Sequence, residues 1–518
     1  MYLTASPDFS TINWTSTADS EQDWWLDRTH CPVALPQLPA EMFGAWIDAG
    51  LHARLIAVNG YVFMASDAEP QERDFGPGVV QVWDEQSPAL VEQPCLAIRH
   101  QPYDDRDPQA AYLALESAIA DSCAAFAFTM DIAGAVFPIL GNFVELCTSI
   151  VGRTGPLEAA TISGDGNNVT LESAAGLERL AALAGEHATV ARLVCDGDLA
   201  ALRAEPQAVP FVAEFDTFLT RFGWRCQEWT DLHRPTWADE PHIPLSIVAR
   251  YLNAPGQRPS VAFVRASRAR ADAIARVEAA IADPAGLADF RASLHSVDGA
   301  QRVIEERSHW QMLLFAALRQ PVLALGRALM RAGLIVEPGD VMFLARDELA
   351  ALAAGRGSAP VSVTARRAQL ADWGHLHAPI SIGRRGARYS VPPEWGSADR
   401  KSTAGLRESG ARVISGVGVS RGVASGRARV AATLEDAERR IEPGDILVCR
   451  TTSPPWTPLF ATVAGIVTDA GGMLSHAAIT AREYGIPAIT NTGSGTRDIP
   501  DGATVTIDGA AGTVIIQT

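Results

Sequence analysis

The stretch "GGMLSHAAITAREYGIPAI", residues 471–489, decides how the last part of the chain folds. Gly471 and Gly472 permit backbone conformations closed to other residues, and an alanine-rich run of good helix formers follows them. Ser475 or His476 can cap that run, so the pattern predicts a helix that begins at His476. A helix start favours an anion, and neutral imidazole is a nucleophile toward phosphorus. From the residues alone, His476 either carries a phosphoryl group or simply caps and packs.

The segment around this stretch is rich in valine, punctuated by glycine, and runs to Thr518. Strand-like pieces ("GRARVAA", "GDILVCR", "AGIVTDA", "ATVTIDG", "GTVIIQ") alternate there with one strong helix at about 476–484. We therefore expect a small α/β domain over 412–518. The polar, glycine- and serine-containing stretch 396–411 precedes it and predicts a flexible linker.

Residues 1 to about 105 mix short strands and loops. Their clearest signal is "ARLIAVNGYVFMAS" (53–66), where two apolar runs flank Asn59-Gly60. That dipeptide suits a tight type I′ turn, so the pattern predicts a β-hairpin. We place a small N-terminal β-containing part here.

From about 108 to 350, alanine, leucine and arginine recur at helical spacing. The most apolar stretch, 123–147, is interrupted by polar residues and a proline, whereas a membrane span needs about 20 nearly uninterrupted apolar residues. We read it as a buried helix pair. The chain over 1–395 is thus predicted to be one mainly α-helical domain, in a multidomain protein that does not enter the membrane.

The composition excludes several classes of protein. A chain of 518 residues exceeds what one hydrophobic core usually organises. A net charge of -17 argues against a nucleic-acid partner, which needs a basic face. The seven cysteines are scattered without a CxxC pair, as in the reducing cytoplasm. Residues 1–25 have neither a basic segment nor an apolar core, so we expect no signal peptide.

Lysine is almost absent: Lys401 is the single lysine among 43 basic residues. A P-loop needs GxxxxGK[ST], which Lys401 cannot complete because Arg400 precedes it. The glycine-rich kinase loop followed by a strand lysine is missing too. We therefore expect no familiar lysine-dependent ATP site in this chain.

The stretch 444–516, "GDILVCRTTSPPWTPLFATVAGIVTDAGGMLSHAAITAREYGIPAITNTGSGTRDIPDGATVTIDGAAGTVII", resembles the swivelling phosphohistidine domain of the phosphoenolpyruvate-utilising and dikinase family. The pattern is GG-x-x-[ST]-H-x-A-I-x-A-R-E-x-G-I-P-A. By this resemblance His476 is the histidine that is transiently phosphorylated. The supporting positions of the motif are Gly471, Gly472, Ser475, Arg482 and Glu483.

Two further segments, "FLTRFGWRCQEWTDLHRPTWADEP" and "LMRAGLIVEPGDVMFLARDEL", resemble the acceptor-binding domain of rifampicin phosphotransferases. The opening "WWLDRTHCPVALPQL" resembles the corresponding region of phenol-phosphorylating synthases. Those one-chain enzymes begin with an ATP-grasp domain, which is missing here, and phenylphosphate synthase divides its donor and acceptor parts between subunits. Pyruvate-binding members carry a barrel after the histidine domain, so pyruvate is not the expected acceptor.

The resemblance implies the phosphohistidine-bearing, acceptor-binding component of an ATP-dependent dikinase. A separate ATP-grasp subunit would phosphorylate His476 with ATP and Mg²⁺, giving AMP and phosphate. The domain would then swivel on residues 396–411 toward the hydroxyl of a small, aromatic acceptor such as a phenol. Two alternatives stay open: a phosphocarrier that serves another protein, and a non-catalytic regulatory subunit.

The arginines that such a transfer needs are sought first in "QRVIEERSHWQM" (301–312). Arg302, Glu305, Glu306 and His309 fall at helical spacings and share one face, with Arg307 beside them. Such a face can hold a cation for the phosphoryl group and a base for the acceptor hydroxyl. The alternative is an ordinary solvated run of paired charges.

The acceptor is sought in "FGWRCQEWTDLHRPTW" (222–237), which sets tryptophans among charged residues. Indoles can wall a flat aromatic ring while charged groups orient its polar end, although tryptophans are more often core. The substrate-binding candidates are Trp25, His30, Arg225, Glu228, Trp229 and Trp237. His30 is a candidate base for a phenolic proton. His375 and His377 lack a third ligand, so we expect no metal site.

Overall fold

The computed structural model describes residues 1–28, 30–65, 78–163, 169–226, 229–254, 258–356, 363–388, 412–473 and 475–517. The predicted linker, 396–411, lies outside the described residues. The described strands are β1 Tyr2–Leu3, β2 Asp23–Leu26, β3 Leu55–Val58, β4 Tyr61–Ala65, β5 Ser381–Gly383, β6 Arg412–Ser415, β7 Val417–Ser420, β8 Val423–Val430, β9 Ile446–Cys449, β10 Gly465–Thr468, β11 Ala488–Thr490, β12 Thr504–Asp508 and β13 Thr513–Ile516.

The α-helices, in chain order, are α1 Thr17–Glu21, α2 Gln37–Leu51, α3 Val79–Ser87, α4 Gln93–His100, α5 Pro108–Val151, α6 Gly155–Ile162, α7 Val169–Gly185, α8 Ala188–Cys195, α9 Leu199–Ala204, α10 Val209–Phe222, α11 His242–Asn253, α12 Pro259–Ala280, α13 Pro284–Ala317, α14 Arg319–Arg331, α15 Arg346–Ala353, α16 Val363–Gly374, α17 Leu434–Arg440, α18 His476–Glu483 and α19 Gly495–Asp498. A 3₁₀ helix, Pro454–Ala461, lies between β9 and β10. The chain is therefore multidomain and rich in helix, with β-structure at both ends, as the sequence predicted.

The chain divides into two compact units. Unit 1 comprises Met1–Val136, Glu228–Arg234 and Arg307–Gly396, and unit 2 comprises Phe137–Gln227, Pro235–Glu306 and Ser397–Thr518. Helices α5 and α13 contribute residues to both units. Unit 2 thus combines helices with the C-terminal α/β domain.

Unit 1 is built on a five-stranded sheet in the order β1-β3-β4-β2-β5. Asn59 and Gly60 join β3 to β4 with φ of 49° and 77°, so the predicted hairpin and its type I′ geometry are confirmed. A Cβ at Gly60 would lie 2.9 Å from the Cβ of Ala34, which also favours glycine there. Phe9, Trp24 and Phe63 are among the buried side chains of this sheet.

The apolar stretch 123–147 lies within one helix, α5, and the expected helix pair is wrong. Pro138 lies inside α5. A proline in a helix interior costs about 3 kcal/mol or more, because it removes a backbone hydrogen bond and clashes with the preceding turn. Buried Val136 and Leu140 lie on either side, and fully burying each such side chain contributes about 1.5–3 kcal/mol. Packing of this kind offsets the proline.

Among the residues that the structure describes, two helical stretches, Pro108–Ile162 and Pro284–Arg331, are long and apolar enough to cross a membrane. The buried share of their most apolar windows is 39% and 72%. Core helices of soluble proteins pass the same test of length and composition, so these stretches are weak signals of a membrane span.

The last part of unit 2 is the predicted α/β domain, an eight-stranded sheet in the order β6-β13-β12-β8-β9-β10-β11-β7. Strands β8, β9, β10 and β11 are parallel to their neighbours within that run, and the outer pairs are antiparallel. Helix α18 follows β10, where the sequence predicted it. The helix therefore starts at the carboxyl end of a central parallel strand, where ligands of such sheets bind.

The helices of unit 2 have their own aromatic core. Phe211, Phe215, Phe218 and Phe222 all come from one face of α10 and pack with Trp237. Ala461, the last residue of the 3₁₀ helix, packs against the same cluster. This contact places the 3₁₀ helix of the α/β domain against the helical core of unit 2.

Candidate phosphohistidine site

The turn before α18 is shaped by its glycines and its cap. Gly471 has a φ of +118°, and a Cβ there would lie 2.8 Å from the Ser475 Oγ. Ser475 is the N-cap residue, and its Oγ accepts a hydrogen bond from the Ala478 N–H. Both the Ser475 N–H and its Oγ donate to the Gly472 carbonyl, at 3.1 and 2.9 Å. His476 is therefore the first helical residue, held on a fixed turn.

The imidazole of His476 is partly buried between α18 and the 3₁₀ helix. Its Nε2 lies 3.2 Å from the Thr457 Oγ1, and the Thr480 Oγ1 lies 3.4 and 3.5 Å from Nε2 and Nδ1. The Phe460 ring lies edge-on at 6.3 Å between centroids. Thr457 and Phe460 both come from the 3₁₀ helix, so that segment sets the orientation of the ring.

Burial, and then the positive charge of Arg225, lower the pKa of His476 from 6.5 to about 3. The ring is therefore neutral throughout the physiological pH range. A neutral imidazole retains the lone pair that attacks phosphorus, so its protonation state suits a nucleophile. The structure thus brings two predicted site residues, His476 and Arg225, into one electrostatic environment.

The supporting pair Arg482 and Glu483 lies on the buried side of α18, with 7% and 2% of their surfaces exposed. Arg482 donates from Nη1 to the Val419 carbonyl at 3.1 Å. Burial lowers the pKa of Arg482 to about 10, while Glu483 and Glu305 act in the opposite direction. Glu305, from the predicted face of α13, therefore interacts with the α/β domain.

The α/β domain contacts the helices of unit 2 through defined hydrogen bonds. Glu158 of α6 accepts from Arg276 of α12 and from Arg421 of the α/β domain, each at 2.9 Å. The Tyr251 hydroxyl donates to the Pro458 carbonyl at 3.0 Å, and Arg265 donates to the Tyr484 carbonyl at 2.9 Å. These contacts hold the phosphohistidine motif against α11 and α12.

Unit 1 contains the other histidine that the sequence singled out. The His30 Nδ1 lies 3.0 Å from the Asp27 Oδ2, and the His30 ring is half exposed. Partial burial would lower the pKa of His30, but the Asp27 carboxylate more than offsets it, so the pKa lies above 6.5, with Arg307 opposing the rise. A carboxylate that hydrogen-bonds to one ring nitrogen fixes the orientation of the ring. The other ring nitrogen is then available for proton transfer.

Aromatic side chains surround this histidine. Trp229 and Phe43 lie edge-on or tilted to His30 at 6.2 and 6.3 Å. Phe315 packs edge-on to both of them, at 5.8 and 6.2 Å. We call His30, Phe43, Trp229 and Phe315 the unit 1 aromatic cluster.

The remaining candidates are placed as follows. Arg302 and Glu306 form an ion pair on α13 at 3.1 Å, as their spacing predicted. Arg307 is buried and donates to the Gln311 Oε1 at 2.9 Å, and the ring of His309 lies 5.6 Å from that of Trp310. Trp25 lies in β2, Trp237 is buried in the unit 2 core, and Glu228 lies outside the described residues.

Sequence reasoning missed residues that contact each of the two candidate histidines. Thr457 and Phe460 precede His476 by a strand and a loop, and Asp27 pairs with His30 within one turn. The proline-rich run "SPPWTPLF" is typical of an irregular, rigid segment, but it does not predict the contact with the ring. Within the described ranges, no group of three or more His, Cys, Asp or Glu residues is arranged to hold a metal ion.

Two family models match the chain. Residues 441–512 match the mobile domain of PEP-utilising enzymes, and residues 132–304 match the fourth domain of rifampicin phosphotransferase. The first contains His476 and its 3₁₀ helix. The second contains Arg225 and the helices of unit 2.

Individual relatives agree with these matches. A rifampicin phosphotransferase from a Streptomyces species is 29% identical over 70% of this chain and 41% of its own length. A chondramide synthase from Chondromyces crocatus is 32% identical over 73% of this chain and 10% of that protein. A phosphoenolpyruvate synthase from Aeropyrum pernix is 51% identical over 102 residues, 20% of this chain and 12% of that protein.

The chain thus spans less than half the length of each of these curated relatives. The chain is accordingly similar to rifampicin phosphotransferases over part of their length, and its residues 441–512 are similar to the mobile domain of PEP-utilising enzymes.

Proposed function

We propose that this chain carries a phosphoryl group on His476 and transfers it to a hydroxyl of a small aromatic acceptor. The observation that carries the proposal is the neutral imidazole of His476 at the start of α18, inside a matched mobile domain. In the transfer, the bond between the histidine nitrogen and phosphorus breaks and a phosphorus–oxygen bond forms. The acceptor loses its hydroxyl proton to a base.

We assign the acceptor to the unit 1 aromatic cluster. Trp229, Phe43 and Phe315 offer ring edges and faces that suit a flat aromatic molecule. In the tautomer whose Nδ1–H is donated to Asp27, the Nε2 of His30 is the base for the acceptor proton. Arg307, close enough to influence the pKa of His30, is assigned to the negative charge that develops on the transferring group.

The donor half of the reaction is assigned to an ATP-grasp partner that binds ATP and Mg²⁺ and phosphorylates His476. The composition supports this, because the single lysine in the chain cannot complete a P-loop. The α/β domain would exchange between the partner and the acceptor during the catalytic cycle. The seven scattered cysteines, with no CxxC pair, support a cytoplasmic location for this chain.

The test separates the two half-reactions. Phosphoramidate transfers its phosphoryl group to imidazole with loss of ammonia, so it can load His476 without the partner. Intact mass should show one adduct of ~80 Da that is acid-labile and absent from His476→Ala. The loaded protein is then mixed with phenol and substituted phenols, and the aryl phosphate is measured.

Loss of the adduct together with formation of an aryl phosphate supports the proposal. An adduct that no small hydroxyl compound removes, but that a second protein does, would replace it with a phosphocarrier. If neither phosphoramidate nor Mg-ATP with an extract of the native host produces an adduct, the chain is a non-catalytic subunit.

A further inference from the structure

Arg225 is a buried cation without an anionic partner in the part of the chain that the structure describes. Only 1% of its surface is exposed, and none of its three guanidinium nitrogens has a hydrogen-bond acceptor among the described residues. Burying a charge is unfavourable unless another group pairs with it. The arrangement therefore needs an explanation beyond packing.

The backbone around Arg225 is firmly held, so the orientation of its side chain is not accidental. Its N–H donates to the Phe222 carbonyl at 3.1 Å, and its carbonyl accepts from the Trp237 N–H at 2.8 Å. The next residue, Cys226, forms an antiparallel bridge with Thr236. These bonds fix the turn that follows α10.

Aromatic rings surround the guanidinium group. Its central carbon lies 5.6 Å from the ring of Phe222, 5.3 Å from that of Trp224 and 5.9 Å from that of Trp237. Rings stabilise a cation and exclude water, but they accept no conventional hydrogen bond. The indole N–H of buried Trp237 also lacks an acceptor among the described residues. The guanidinium group of Arg225 and the indole of Trp237 are thus buried donors with no acceptor among the described residues.

Two of the rings around Arg225 and the segment that contacts His476 pack into the same core cluster. Phe222 and Trp237 belong to the core cluster against which Ala461 packs. Ala461 ends the 3₁₀ helix whose Thr457 and Phe460 contact the His476 ring. The charge of Arg225 acts on the imidazole as well, since it is the second cause, after burial, of the lowered pKa of His476.

We propose that Arg225 binds the phosphoryl group carried by His476 while the α/β domain rests on the helices of unit 2. The inference rests on the proposed function. It identifies Arg225 as the group that would balance the negative charge of phosphorylated His476. A phosphoryl dianion supplies acceptor oxygens for the planar fork of the guanidinium group, which matches phosphate geometry. Phosphorylation of a neutral imidazole thereby converts an uncompensated cation into a paired one. Arg225 forms no covalent bond and is assigned to phosphate recognition.

The experiment compares wild type, Arg225→Met, Arg225→Lys and a matched control, Arg221→Met. Arg221 also lies over the Phe222 ring, at 5.0 Å, but it is exposed and paired with Glu172. Each protein is loaded with phosphoramidate, and the phosphoryl group is titrated by ³¹P NMR. A nearby cation favours the dianion, so its second pKa should lie about one to three pH units lower in wild type than in Arg225→Met.

The thermal midpoint supplies an independent readout. Before loading, Arg225→Met should be at least as stable as wild type, because it removes an unpaired buried charge. Loading should raise the midpoint of wild type and of Arg221→Met, and should leave that of Arg225→Met unchanged. Arg225→Lys should fall between them, because lysine keeps the charge and loses the fork.

The outcomes distinguish this inference from the proposed function. If wild type takes up no phosphoryl group, the proposed function fails first. If wild type and Arg225→Met load and show the same ³¹P titration and the same change in midpoint, the function survives and the role of Arg225 is overturned. His476→Ala is tested with inorganic phosphate alone: stabilisation equal to that of loaded wild type would assign the site to free phosphate and overturn the covalent source.

Discussion

His476 and His30 occupy opposite electrostatic environments in the two units. His476 is surrounded by threonine hydroxyls, a phenyl ring and the influence of a cation, and its pKa is lowered to about 3. His30 is paired with a buried carboxylate, and its pKa is raised. When the environments of two titratable groups shift their pKa values in opposite directions, the two groups commonly have different chemical roles. The neutral ring suits a carrier of phosphorus, and the carboxylate-oriented ring suits a carrier of protons.

The comparison also explains the distribution of arginine. Near His476, Arg225 lacks a partner among the described residues, so its charge is available to an incoming anion. Near His30, the Asp27 carboxylate occupies one side of the ring, and Arg307 is the cation that acts on it. The His476 environment is therefore built to receive negative charge, and the Asp27 side of His30 is not.

The largest expected effect is on the nucleophile itself. Replacing His476 by Asn retains a polar side chain but removes the nitrogen lone pair that attacks phosphorus. We expect complete loss of the ~80 Da adduct and of all transfer. His187→Ala, which removes an exposed histidine at the start of α8, is the control. An adduct that persists in His476→Asn and disappears in His187→Ala would show that His476 is not the nucleophile.

The second effect separates the two histidines. His30→Gln should lower the rate of transfer to the acceptor by about 10²–10⁴-fold, the range typical of a lost general base. Loading of His476 should be unchanged. Asp27→Asn should have a smaller effect of the same kind, because the ring stays but loses its orienting charge. Single-turnover mixing of loaded protein with acceptor measures this step. Equal losses in loading and transfer would show that His30 is structural.

The third effect is a difference in pH dependence between the half-reactions. His476 has a lowered pKa and stays neutral as pH falls from 8 to about 5. Loading rates corrected for the ionisation of phosphoramidate should therefore stay flat. His30 has a raised pKa and acts as a base only when deprotonated, so transfer should rise with pH through a value above 6.5. A transfer rate that is flat over the same range would remove His30 from the reaction.

The site was predictable where local sequence rules decide it. The glycine turn, the Ser475 cap, the start of α18 and the Asn59-Gly60 hairpin all depend on neighbouring residues, and the structure confirms them. The single helix through Pro138 was not predictable, because packing along its length outweighs a local breaker. The contacts of Thr457 with His476, and the grouping of Arg225 with unit 2, depend on tertiary packing that no spacing reveals.

The smallest expected effect concerns the contact that holds the α/β domain on the helices. Glu158 is buried and accepts from Arg276 and Arg421, whose side chains are 50% and 35% exposed. Glu158→Gln keeps the shape and removes the charge. Hydrogen bonds to charged groups contribute about 1.5–3 kcal/mol to stability. Because both arginines are partly exposed, we expect Glu158→Gln to lower the free energy of unfolding by about 1.5 kcal/mol or less.

We expect a slightly lower thermal midpoint for Glu158→Gln, because one buried anchor of the resting position is weakened. Loading of His476 by phosphoramidate should become faster, since the partly buried imidazole is uncovered more often. Glu172→Gln is the matched control, because its pairing with Arg221 is exposed and lies within the helices. Slower loading in Glu158→Gln would mean that the resting position assists phosphorylation. The contact would then contribute to the phosphorylation of His476. His476 would gain and lose its phosphoryl group with the α/β domain in the same position on the helices of unit 2.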